Sequence, residues 1–146
     1  MLAEHINLFN VGVGIHVKTN IGRGGFIRNI TVSNVYIENA RKGIKISGDV
    51  GDHPDDGFNS NAIPVVTDIT MRTIWGQNVL QPGLVKGIKT APFTNICLSE
   101  INLYGSLKET APWECSDVKG FALKVSPWPC SELVSTDGAS LCSANY

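Results

Sequence analysis

Several stretches of the sequence gather side chains able to do chemistry. His16 and Lys18 stand two residues apart, close to the glycine-rich run Gly22-Arg23-Gly24-Gly25. Behind the alternating Ile15 and Val17 they share one outer strand face, where a histidine and a lysine make a compact anion-binding pair or an ordinary solvated surface. The glycine run lacks the GxxxxGK[ST] pattern of a phosphate loop and no helix follows it; its glycines would instead let Lys18 and Arg23 approach a ligand closely. Asp49, Asp52, His53, Asp55 and Asp56 resemble a carboxylate or metal site, but ligands at alternate positions and a closing Glu are both missing. Solvated turn chemistry accounts for that loop better, and no metal site is expected.

Further candidates lie elsewhere. Asn29-Ile-Thr31 is a glycosylation sequon at the start of an expected strand, where Asn also serves as a turn residue. Trp113 and Trp128, each flanked by proline and cysteine, could stack on sugars, but fit better as a cover over the open end of a solenoid. The cysteines Cys97, Cys115, Cys130 and Cys142 all fall in the last third of the chain, with no CxxC and no histidine beyond His53. That argues against zinc and for two disulfides in an oxidising compartment, with the pairing open among three connectivities.

The elements that must carry these residues are legible as a degenerate repeat. Four segments, beginning at Ile6, Ile30, Ile69 and Ile96, place apolar residues in a period-2 strand, then a two-residue polar corner, then a further apolar residue. The intervals between these starts are unequal, the longest running from Ile30 to Ile69. A second element, Gly14-Ile15, Gly43-Ile44 and Gly87-Ile88, recurs between them, its glycine allowing a sharp corner. Short strands at this spacing predict an all-β solenoid whose turns bury apolar faces only by stacking on neighbours. A sandwich of short strands is the alternative, but the Asp-Gly pairs at 56–57 and 137–138 both fall in loops. The long interval from Ile30 to Ile69 is explained by a polar Gly/Pro-rich insertion at 48–64.

Bulk properties agree. A chain of 146 residues with 42% hydrophobic and 17% charged residues fits one folded domain. Residues 1–47 hold six Lys/Arg against two Glu, and the remainder six against eleven acids. The basic N-terminal third could face a polyuronate, a phosphate or a nucleic acid, or be a solvated face of mixed charge. No apolar run is long enough for a membrane span, and the residues after Met1 do not read as a signal peptide, so a targeting segment is expected upstream.

The stretch from Gly14 through Val32, with Arg41 to Asp56 and Val125 to Leu133, resembles family 28 glycoside hydrolases, the polygalacturonases, in a plant-specific branch. The similarity runs from about residue 2 to residue 142. It implies a right-handed parallel β-helix, incomplete at its N-terminal side, with a Cys/Pro-rich cap at about 107–146. It also implies inverting hydrolysis of α-1,4-galacturonan in pectin, a secreted cell-wall location and no cofactor. Pectin is the implied partner; no nucleic acid or membrane partner is expected, and the protein is expected to be a monomer.

The family's Arg-Ile-Lys motif falls on His16, Val17 and Lys18. By resemblance Lys18 grips the substrate carboxylate, with His16 in place of the arginine and Arg23 a neighbour. His16 lacks the arginine's bidentate fork and is only partly charged near neutrality. The family's catalytic Asn-Thr-Asp and Asp-Asp motifs and its Gly-His-Gly motif do not occur on the N-terminal side of this strand, so the catalytic residues are expected upstream of Met1. Asp55-Asp56 lies after the strand, in the insertion, and does not match the catalytic pair. The expected product is therefore a truncated hydrolase, inactive alone. The alternative is a non-catalytic pectin-binding or cell-wall module.

Overall fold

The structure is a computed structural model; it describes residues 1–19, 22, 24–48, 61–105 and 111–134. Strands β1 (Leu2–Lys18), β2 (Phe26–Ser47), β3 (Val65–Lys86) and β4 (Phe93–Leu103) follow one another, then β5 (Glu114–Ser116), β6 (Val118–Ser126) and a short 3-10 turn (Ser131–Leu133). Every pairing between strands is parallel, in the order β1-β2-β3-β4-β6, with β5 on β3. Successive strands that stack in parallel, each a coil above the last, make a parallel β-helix, and parallel crossovers take the right hand.

Strands of 17 and 22 residues are longer than ordinary strands because they bend without losing register. At each bend a non-glycine residue adopts positive φ. One corner stacks His5, Asn34, Thr73, Glu100 and Lys124; another Asn10, Asn39 and Asn78; a third Asn29, Asp68 and Asn95. Asparagine and aspartate tolerate this left-handed backbone best, which explains their share of the corners. The amides also bond along the row: Asn39 Nδ2 donates to Asn10 Oδ1 at 2.9 Å, and Asn78 Nδ2 to Asn39 Oδ1 at 2.5 Å. Asn95 Nδ2 donates to Asp68 Oδ1 at 3.0 Å. Asn29 is thus a corner inside β2 and not the start of a strand.

Between corners, inward residues stack on like residues. Ile30, Ile69 and Ile96 form one ladder; Val32, Met71, Leu98 and Ala122 another; Val35, Ile74, Ile101 and Val125 a third. Apart from the slightly exposed Val32, Ala122 and Val125, these are almost wholly buried, except Ile30 at the outer end of its ladder.

This register corrects two expected alignments. Ile6 stacks on Val35 and Leu8 on Ile37, so the first coil does not align Ile6 with Ile30. The row Ile15–Ile44 continues to Gly83, and Val17–Ile46 to Val85; Gly87-Ile88 lies beyond this row, with Ile88 bridged to Ala91. The fold is unaffected, but the faces on which outward side chains meet are redefined. Most of the insertion at 48–64 lies outside the described residues, as do the carboxylates Asp49, Asp52, Asp55 and Asp56 and the imidazole of His53.

Candidate saccharide-binding faces

The three corners divide each coil into flat faces. The face after the Asn10–Asn39–Asn78 corner carries His16 and Lys18, both exposed and both outward. Register places Lys45 beside His16 on the next strand, and Lys86 in line with Lys18 across Ser47. Adjacent strands lie about 4.8 Å apart, so four basic side chains occupy a patch three rungs deep. Among the described residues, no carboxylate lies within ion-pair distance of Lys18, Lys45 or Lys86. The row of His16 and Lys45 passes Leu84 and reaches an acid only at Glu114.

Electrostatics modifies the expected role of His16. Partial desolvation, then the charges of Lys45 and Lys18, hold its imidazole below the usual value of 6.5. In the free protein at neutral pH it is therefore a neutral hydrogen-bonding group, with the lysines supplying the charge. An anion bound on this face would offset the two lysine charges and favour the imidazolium.

The glycine run serves packing. Gly22 and Gly24 both donate their backbone N–H to the carbonyl of Ala62, at 2.8 and 3.2 Å, and Gly25 accepts from Val65. All three glycines have positive φ, between 59° and 102°. Those two donors are thus satisfied by the next coil and do not form an anion cradle. Arg23 lies outside the described residues.

Around the corner, the preceding face carries an aromatic row that the sequence spacings did not reveal. Phe9 and Tyr36 have ring centroids 5.9 Å apart at 61°, and Tyr36 and Trp75 are 5.9 Å apart at 50°. Glu38 joins them: it accepts from the Tyr36 hydroxyl at 2.8 Å and from Gln77 Nε2 at 2.7 Å. Both bonds favour the carboxylate, so Glu38 titrates below the ordinary range, and the same pairing raises the Tyr36 phenol. An alignment of Asn10 with Asn39 and of Asn39 with Asn78 is the signal that puts Tyr36 beside Trp75 and Phe9 beside Glu38, so that Phe9 meets Tyr36 on the diagonal.

The remaining candidates separate. Trp113 is buried over Gly83, where an added Cβ would collide with the indole, and its Nε1 donates to the Pro127 carbonyl at 3.0 Å. Trp128 is 62% exposed, so the two tryptophans do not share one role. The structure pairs Cys115 with Cys130, Cα atoms 6.2 Å apart. Cys97 is also disulfide-bonded, while Cys142 lies outside the described residues. Asn29 is exposed, its backbone carbonyl accepting from the amino group of Met1 at 2.9 Å. Among the described residues no cluster of His, Cys, Asp or Glu could hold a metal ion, and no helix is long and apolar enough to cross a membrane.

Comparison with known proteins agrees with this geometry. The family model for glycosyl hydrolases family 28 matches residues 1–130. A "Probable polygalacturonase" of Vitis vinifera is 35% identical over 132 residues, covering 90% of this chain and 27% of that protein. The chain thus spans about a quarter of the length of that curated relative. No solved structure matches it significantly. Parallel coils and a family match across nearly the whole chain converge: this chain belongs to glycosyl hydrolases family 28.

Proposed function

We propose that residues 1–146 supply the uronate-gripping coils of a polygalacturonase-type hydrolase acting on pectin, and do not by themselves hydrolyse it. The observation that carries this reading is the patch of Lys18, Lys45 and Lys86, cations without carboxylate partners among the described residues, on the face that holds the motif strand. A polymer bearing one carboxylate per sugar matches a two-dimensional array of ammonium groups better than a single anion does. Lys18 takes the carboxylate, His16 donates to it or to a neighbouring hydroxyl, and Arg23 is assigned beside them on resemblance.

Inverting hydrolysis needs a protonated acid and a base roughly 6.5–9.5 Å apart, with a water between them. No Asn-Thr-Asp occurs in the sequence, and its one Asp-Asp pair, Asp55-Asp56, follows the motif strand. This favours the second reading for the chain alone, a non-catalytic pectin-binding module. On the same resemblance the chain is assigned as C-terminal coils with a cap at about 107–146, monomeric and secreted to the cell wall. The Cys115–Cys130 disulfide favours such an oxidising compartment.

Calorimetric titration of the purified protein with polygalacturonate tests the reading. Binding is expected to weaken steeply with added salt and by about tenfold in Lys18→Ala. Salt-insensitive binding, or an unchanged Lys18→Ala variant, would overturn it. Release of reducing ends from polygalacturonate by this protein would refute the non-hydrolytic part alone.

A further inference from the structure

The aromatic row stops where it need not. Register carries Tyr36 to Trp75, then to Asn102 and on to Ser126. Where the next ring would stand, the short Asn102 leaves a cleft of about 210 Å³ lined by Tyr36, Trp75, Gly76, Gln77, Asn102 and Tyr104. That is smaller than the roughly 300–1,000 Å³ of a drug-sized pocket and suits one small ring. Its floor is fixed: an added Cβ on Gly76 would collide with the Ile37 carbonyl oxygen, so the backbone there admits only glycine. Its far wall is fixed as well, since Tyr104 accepts at its carbonyl from Val79 N–H at 2.7 Å and donates from its own N–H to Gly76 at 3.4 Å.

Trp75 is 45% exposed and Tyr104 55% exposed, although each bounds the cleft. Exposed aromatic rings facing a common gap with polar groups beside them suit an amphipathic ligand, apolar on its ring C–H faces and rich in hydroxyls at its edge. The polar groups beside the rings are neutral hydrogen-bonding side chains with an anion next to them. Glu38, bonded to Tyr36 and Gln77 of the lining, is an anion. Asn102 keeps a buried Oδ1 with no partner among the described residues. No cation lines the cleft. This chemistry accepts hydroxyl donors and opposes a carboxylate, the reverse of the basic patch around the corner.

We propose that the cleft between Trp75 and Tyr104 is a docking subsite for one ring of an uncharged oligosaccharide, separate from the uronate-binding patch. A polysaccharide with both charged and neutral stretches would engage the two faces through different segments. The proposal goes beyond the uronate-binding reading and does not require it, because none of the residues it uses is basic.

Titration calorimetry with galactotetraose, an uncharged probe, tests it alongside tetragalacturonate. Galactotetraose is expected to bind saturably and without salt dependence, and to lose about tenfold or more in affinity in Trp75→Ala. Asn102→Tyr, which continues the aromatic row into the gap, should also abolish it; Lys18→Ala should leave it unchanged. Each variant is accepted only with an unaltered circular dichroism spectrum and a cooperative melt, and the two alter the cleft in opposite ways, by removal and by filling. The proposal is overturned if galactotetraose gives no saturable heat or binds both cleft variants within twofold of the parent. It is equally overturned if the cleft binds a proline-rich peptide in place of the sugar. Loss of tetragalacturonate binding alone, in Lys18→Ala, bears on the basic patch and leaves this subsite standing.

Discussion

Two neighbouring faces of the same coils stack their outward side chains by the same rule and with opposite energetic results. On one, Phe9, Tyr36 and Trp75 lie ring to ring, and each contact adds favourable edge and dispersion energy. On the other, the neutral His16 sits beside Lys45, and Lys18 is in line with Lys86 across Ser47, so that stacking gathers cations on one face with a neutral residue between them. A parallel solenoid repeats whatever it carries about every 4.8 Å. An aromatic row therefore stabilises the free protein, whereas a cationic row opposes it. The first can be explained by folding alone up to the point where Asn102 interrupts it; the second contributes nothing to folding and fits the anion-binding role proposed above.

The strongest way to break this contrast is at the backbone beneath the aromatic face. Gly76→Ala places a methyl against the Ile37 carbonyl and should destabilise the protein by roughly 3 kcal/mol, measured by denaturant unfolding. Tyr36→Ala removes both ring contacts and the hydroxyl that holds Glu38, and should cost about 2 kcal/mol. Lys45→Ala should behave in the opposite sense: unfolding free energy unchanged or raised by about 0.5 kcal/mol, while polygalacturonate affinity falls. A destabilised Lys45→Ala protein would show that the basic row is structural after all.

The smallest effect is that of pH on His16. Its folded value is lowered from 6.5, so near and just below that pH the unfolded chain binds more protons than the folded one. Stability should therefore decline slightly as pH falls through 6.5, levelling out below the folded value. Polygalacturonate affinity should rise over the same interval, as the imidazole becomes cationic. His16→Gln should remove both trends.

The solenoid was legible because corner asparagines and paired aliphatics recur, and the alignment of Gly14-Ile15 with Gly43-Ile44 is the true one. The misplacement of Ile6 against Ile30 has a physical cause. Each face presents the same short alternation of aliphatics beside a polar corner, so a segment can be moved one face round the coil without disturbing the pattern. Only hydrogen-bond register decides, and it selects Val35. His16 and Lys18 were legible as a local i, i+2 pair. Lys45 and Lys86 as their neighbours, and Trp75 as the neighbour of Tyr36, depend on a coil length that changes from one turn to the next. The pairing of Cys115 with Cys130 is fixed by the tertiary path of the chain, which spacing does not encode.

The asparagine corner has a consequence for tolerance to change. Asn10, Asn39 and Asn78 bond in an unbroken column even though the second coil is longer than the first. The additional residues all fall in sequence between Ser47 and Val65, and the column keeps its register across them. Length is thus decoupled from pitch. Segments grafted, trimmed or exchanged at that junction should leave the basic and aromatic faces in place, so the surroundings of both faces can be varied as one would change the blade on a fixed handle.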